Sequence, residues 1–357
     1  MKCRFCGRAE SVPTQPGAVA APHSLEEFLS KIDDTHLRPI TDEALQVSCD
    51  GCGSMVVFQP PEVAGSCPFC GATLVTQPKA ADPLIAPDGI LPAKVPKNNA
   101  QSEVRAWIQT RWFAPSALKR LAQQEGISGV YLPFWDYGAA TNSRYQGSRG
   151  DYYWVTETYQ ESDGQGGTVQ RTRQVQQTSW SRAEGEVSRD FDNVLIAATR
   201  SVAESRLNAL EPWDLESLCG YEPEYLAGFK AQRYQVELPA GFEKAKSVMQ
   251  DVIDEDVRKN IGGNEQRVDR VDTEYSNATF RHLLLPVWIG AYRFQGKVYQ
   301  VLVNARTGEV RVSRPHEKFL LEPSRKFLSK RAKLEGGTNR NDPKGTRSAA
   351  LVEAGRI

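Results

Sequence analysis

Leu25, Phe28, Leu29 and Ile32 fall on one face of a helix predicted over Ser24–Ile32, and Ser24 with Glu27 forms a capping box at its start. Asn98 followed by Gln101 opens a second helix, with Val104, Trp107, Ile108 and Trp112 on one side. Pro115 interrupts that pattern, and Ala117–Gln124 continues it as a short piece. Helical spacing also predicts Asp192–Leu210, Glu224–Tyr234 behind Pro223, and Phe242–Lys259. The last carries Ala245, Val248, Met249, Val252 and Ile253 as its apolar stripe.

Strand patterns lie between these helices. Met55–Phe58 is a short apolar strand ended by Pro60 and Pro61. Gly129–Trp135 is an apolar run with Pro133 at a predicted bulge or edge. From Arg144 to Trp180 the residues alternate around a glycine-rich tip, which predicts a hairpin with one face in water. Thr279–Ser313 returns to strands and closes in a hairpin turned at Arg306–Gly308. One echo is present: Tyr131-Leu132-Pro133-Phe134-Trp135 recurs as Leu284-Leu285-Pro286-Val287-Trp288, which reads as a duplicated helix-then-sheet unit.

The strongest chemical signal is a pair of knuckles, Cys49-Asp50-Gly51-Cys52 and Cys67-Pro68-Phe69-Cys70. Four thiolates in this array match a tetrahedral structural zinc site, and Gly53 and Gly71 follow where each knuckle turn favours positive φ. Two disulfides in a secreted domain are the competing reading; the chain is not otherwise Cys-rich and shows no signal peptide pattern. Four cysteine ligands leave no open coordination position, so such a site folds a module rather than activating water. A third pair, Cys3 and Cys6, lacks partners. It could borrow His23 or His36, pair with a second chain, be a remnant, or belong to a knuckle encoded further upstream. One zinc per chain is the expectation, lost in Cys49→Ser and kept in Cys3→Ser.

Composition narrows the function classes. The 357 residues balance 44 Lys+Arg against 44 Asp+Glu, so no global basic field draws nucleic acid. No apolar run approaches the ~20 residues that span a bilayer, and cysteines mostly in C-x-x-C pairs point to a reducing compartment, giving a soluble, cytoplasmic expectation. After Pro315 the chain turns basic and polar: Phe319–Leu334 fits a basic amphipathic helix and residues 335–357 read as disordered, a solubilising end with membrane-surface or nucleic-acid contact as the sharper alternative. There is no P-loop, G-x-S-x-G, H-E-x-x-H or dinucleotide fingerprint. His282 in an apolar strand and Cys219 beside Gly220 read as core residues, and Asp251, Asp254, Glu255 and Asp256 as a solvated helix face. No enzyme is indicated.

Several ordered motifs carry a resemblance: the Cys49–Cys70 ribbon, Trp112–Pro115, Gly129–Tyr137, Leu210–Asp214, Tyr225–Val236, Leu284–Trp288 and Asn304–Val310. Over about residues 45–312 the chain resembles the bacterial TFIIB-type zinc-ribbon proteins, which are often mislabelled as relatives of the primosomal replication helicase. The resemblance implies a ribbon site beside an α+β domain of unassigned function, in some relatives encoded near membrane-stress proteins of the phage-shock type. It implies no helicase activity, because the nucleotide-binding motif is missing.

These readings predict an α+β protein: a small N-terminal zinc ribbon followed by a larger, internally duplicated α+β domain with antiparallel sheets. The expected segments are a knuckle and helical stretch over 1–44, the ribbon over 45–78, the α+β domain over 79–320 and the tail over 321–357. The expected role is a non-catalytic adaptor for protein partners. Nucleic-acid binding is the alternative, weakened because no Lys or Arg occurs between Ser48 and Val75.

Overall fold

The computed structural model describes residues 18–31, 37–38, 45–58, 65–74, 79–80, 84–109, 126–162, 164 and 166–312. Cys3, Cys6, His36, Trp112, Ala117–Gln124 and the tail lie outside these.

Among the described residues strand outweighs helix, 51% to 23%, and one mixed sheet dominates, which overturns the expectation of a small ribbon beside an α+β domain. Its main strands are β1 (Leu45–Ser48), β2 (Met55–Phe58), β3 (Gly89–Ile90), β4 (Ser128–Ser162), β5 (Thr168–Ala197), β6 (Cys219–Gly220), β7 (Lys230–Gln232), β8 (Glu265–Phe294), β9 (Lys297–Asn304) and β10 (Val310–Val312), and the short strand His23–Ser24 pairs with β8. The spatial order β6-β3-β8-β4-β7-β2-β1 ends on the short strand Lys79–Ala80, while β5 flanks β4 and β9 flanks β8. The ribbon hairpin β1–β2 is thus part of the main sheet: Val56 and Val57 of β2 pair with Gln232 and Ala231 of β7. Backbone pairing so distant in sequence leaves no local signature.

Burial along β4 explains its sequence. Val130, Leu132 and Phe134 face one side and Tyr131, Trp135 and Tyr137 the other, all buried, so the strand reads as a continuous apolar run. Beyond a bulge at Tyr137/Ala139 the burial alternates, with Ala139, Thr141, Ser143, Tyr145 and Gly147 buried and the residues between them more accessible. Past Gly150, where β8 has ended, β4 and β5 continue as a two-stranded arm through Ser162↔Thr168.

Helix α1 spans Leu25–Lys31, α2 Lys97–Gln109 and α3 Leu238–Ile261. Pro239 pre-sets the first turn of α3, and Gly262 and Gly263, at φ of 67° and 77°, end it. Its buried row is Gly241, Ala245, Met249, Ile253, Val257 and Ile261, packed over β4, β5 and β8. Val248, expected in the stripe, is 46% exposed, because the row advances by four residues rather than alternating three and four.

Two more predicted helices are corrected. Asp192–Ala197 is the end of β5, followed by a single helical turn at Glu204–Asn208. Pro223–Leu226 is a 3₁₀ turn leading into β7. The hairpins over Arg144–Trp180 and Thr279–Val312 are present, as parts of longer strands.

The two echo segments are each other's antiparallel partners, with Leu132 opposite Leu285. Their equivalent tryptophans act alike. Trp135 Nε1 donates to the Val236 carbonyl at 2.8 Å, just ahead of α3, and Trp288 Nε1 to the Val95 carbonyl at 2.8 Å, just ahead of α2.

Candidate metal centre

Each knuckle is a tight loop closed by backbone bonds. Cys49 N–H donates to the Ser54 carbonyl at 3.0 Å and Gly53 N–H to the Cys49 carbonyl at 2.7 Å. The second loop repeats the pattern, with Cys67 N–H to the Ala72 carbonyl at 2.7 Å and Gly71 N–H to the Cys67 carbonyl at 2.9 Å. Gly53 and Gly71 sit at φ of 70° and 73°, the conformation the sequence required of them. The loops face each other, Cys49 Sγ lying 3.6 Å from Cys70 Sγ and Cys52 Sγ 3.7 Å from Cys67 Sγ, with all four Sγ atoms within 4.8 Å.

These separations test the donor set. Four sulfurs at ~2.3 Å from a common tetrahedral centre stand about 3.8 Å apart. A disulfide needs ~2.05 Å, and all four cysteines are free thiols. The four cysteines therefore fit one metal ion and exclude the disulfide reading.

Cys49, Cys67 and Cys70 are buried and Cys52 is exposed. Burial pushes the Cys67 and Cys70 thiols up, against backbone amide hydrogen bonds that pull them down. Burial raises Cys52 too, but hydrogen bonds from the Ser54 hydroxyl and amide, with those from Cys70 and Cys67, more than offset it.

The cluster is fastened to the sheet by a polar network that sequence inspection missed. The Ser54 hydroxyl lies 3.1 Å from Cys52 Sγ and 2.7 Å from the Ser201 hydroxyl. Gln232 Nε2 donates to Ser201 Oγ at 2.6 Å, and Ser201 Oγ to Gln235 Oε1 at 3.1 Å. From β9, Gln300 Nε2 donates to the Phe69 carbonyl inside the second knuckle at 3.0 Å and to the Ser201 carbonyl at 2.9 Å. Ser54, Gln232 and Gln300 are all buried. Removing Gln300 strands the buried Phe69 carbonyl and the part-buried Ser201 carbonyl, so Gln300→Ala is expected to cost ~1–3 kcal/mol, read from urea unfolding. Such residues carry no motif, since only the fold brings them together.

The other candidates lie elsewhere. His23 Nε2 contacts Asp88 Oδ1 at 2.7 Å, apart from the cysteines. Cys219 is buried, with its thiol toward the Ile90 carbonyl at 3.4 Å. His282 is buried beside Trp135 and Tyr234, its Nδ1 2.8 Å from the Ile85 carbonyl. Burial holds its pKa below the usual imidazole range, although that carbonyl and Asp88 pull it up. An unfolded histidine takes its proton near pH 6.5. The stability from neutral His282 is thus fully present above about pH 6.5 and lost as pH falls below it. His282→Phe is expected to flatten the loss of stability between about pH 6.5 and 5, followed by urea midpoints.

No helix among the described residues is long and apolar enough to cross a membrane. No family model and no solved structure matches the chain. The chain is similar to "Uncharacterized protein YdjG" of Bacillus subtilis (strain 168), 23% identical over 229 residues. That likeness spans 63% of this chain and 63% of YdjG, less than two thirds of the relative's length.

Proposed function

We propose that Cys49, Cys52, Cys67 and Cys70 hold one zinc ion, and that the chain is a non-catalytic adaptor whose sheet presents surfaces to protein partners. The observation that carries this reading is the closed set of four free thiols within 4.8 Å of one another, with the first knuckle's hairpin paired into the main sheet. All-sulfur tetrahedral donors favour zinc or an iron–sulfur centre. A knuckle pair with one sulfur per corner suits a single redox-inert ion. Zinc so enclosed stiffens the β1–β2 end of the sheet without offering a site to substrate. The motif resemblance to TFIIB-type zinc-ribbon proteins supports the same reading.

Affinity capture with the full chain from its native host tests the adaptor role. The expected result is a reproducible set of proteins that Cys49→Ser fails to recover. Recovery of no reproducible protein, or an identical set with Cys49→Ser, overturns it. Nucleic-acid binding is less favoured, since the knuckle region has no Lys or Arg between Ser48 and Val75.

A further inference from the structure

Beyond Gly150 the arm has two faces of different chemistry. On one, the cross-strand pairs are Asp151/Ser179, Tyr153/Gln177, Val155/Val175, Glu157/Arg173, Tyr159/Arg171 and Glu161/Val169. This face carries the ion pairs Glu157–Arg173 at 3.0 Å and Glu161–Arg171 at 2.6 Å, an ordinary solvated surface. On the other, the pairs are Tyr152/Thr178, Trp154/Gln176, Thr156/Gln174, Thr158/Thr172, Gln160/Gln170 and Ser162/Thr168. That second face holds no charged and no aliphatic side chain, in a protein that is 25% charged overall.

The uncharged face is also exposed. Trp154 is 64% and Tyr152 42% accessible. At its base, Arg267 stacks on Trp180 at 3.8 Å, and Trp180 lies across Gly150. An exposed Gln/Thr strand face without charge invites sheet aggregation, the hazard that edge charges normally prevent. A face kept neutral at that risk is suited to a neutral partner.

We propose that this face binds a neutral, linear polyhydroxylated polymer, a polysaccharide. Every Thr, Ser and Gln on it both donates and accepts hydrogen bonds, as do sugar hydroxyls. The exposed Trp154 ring offers its electron-rich face to the C–H groups of a pyranose, and Tyr152 follows on the same side. The row from Tyr152 to Ser162 runs about 34 Å, which suits a linear chain. At the base Arg267 stacks on Trp180 and Glu265 accepts from the Tyr152 hydroxyl at 3.0 Å, but from Trp154 to Ser162 a nucleic acid or anionic lipid would find no cation in the row, and a charged peptide no counter-charge. A second copy is disfavoured by area: a strip about 34 Å by 10 Å buries roughly 700 Å² over both partners, below a stable interface. The inference is independent of the metal centre.

Native affinity electrophoresis of the full chain tests it, in gels cast with hydroxyethyl cellulose, soluble amylose, glucomannan or dextran sulfate. The expected result is retardation by a neutral polymer that persists in about 0.5 M salt, where charge interactions are strongly screened. Trp154→Ala and Thr158→Glu should each weaken it about tenfold or more, a loss of at least ~1.4 kcal/mol. Glu157→Gln, on the opposite face, should leave it unchanged, and melting curves of all variants should match the parent. Failure of every neutral polymer to retard the chain overturns the proposal, as does retardation by dextran sulfate alone or undiminished retardation of Trp154→Ala. A dimer in sedimentation that Trp154→Ala dissolves would assign the face to a second copy instead.

Discussion

Cys49→Ser, or removal of the proposed zinc by a chelator, is expected to release the β1–β2 hairpin and loosen the sheet strands beside it. Structural zinc binding is worth ~10–16 kcal/mol in small zinc modules, more than any single packing contact here supplies. Four thiols left without metal would also keep their buried neighbours, Phe69 and Leu74, around an uncompensated polar cluster. Because Val56 and Val57 pair with β7, and Gln300 of β9 bonds the Phe69 carbonyl, the damage should pass beyond the knuckles. Hydrogen exchange should show lost protection in Val56–Phe58 and in Lys230–Gln232, with the β4–β5 arm unchanged. Loss confined to residues 45–74 would mean that the ribbon behaves as an independent module after all.

The second large effect is expected at Arg281. Its guanidinium bonds Asp136 Oδ2 through Nε at 2.9 Å and Nη2 at 2.5 Å, and Nη2 also reaches Asn193 Oδ1 at 3.0 Å. Asp136 is buried, and burial pushes its carboxyl up, with Arg281 the main group holding it down. Arg281→Ala leaves that carboxylate buried and unpaired, at a cost of about 3–5 kcal/mol in denaturant unfolding. Replacing both partners, Asp136→Leu with Arg281→Met, should recover most of the loss, because the desolvation penalty disappears with the charges. A single variant as stable as the parent would show that Asp136 has taken a proton or reached water.

The cysteine site was legible because its ligands sit at fixed local spacing and its glycines answer a local demand for positive φ. The sheet was not legible, because its decisive pairings join residues far apart, such as Val57 with Ala231 and Leu132 with Leu285. The misread helix at Asp192–Leu210 has a specific cause. Asn193, at φ 57°, lies at the bulge and inserts unpaired residues into β5, so Phe191, Val194 and Leu195 fall at i, i+3 and i+4. A bulged strand then imitates a helical period. In the arm, both faces are wet, so hydrophobic contrast vanishes and strand length cannot be read from it. There the useful signal is the segregation of charge, which places every Arg and Glu of residues 152–162 and 168–178 on one face.

The proposed function requires one zinc ion among Cys49, Cys52, Cys67 and Cys70, held as a closed structural centre. X-ray absorption at the zinc edge on the purified full chain, with metal content measured on the same sample, tests it most directly. The expected result is one zinc per chain, with four sulfurs at ~2.3 Å and no nitrogen or oxygen in the first coordination sphere. A shell containing water, carboxylate or imidazole, or a folded chain that takes up no zinc, would contradict it.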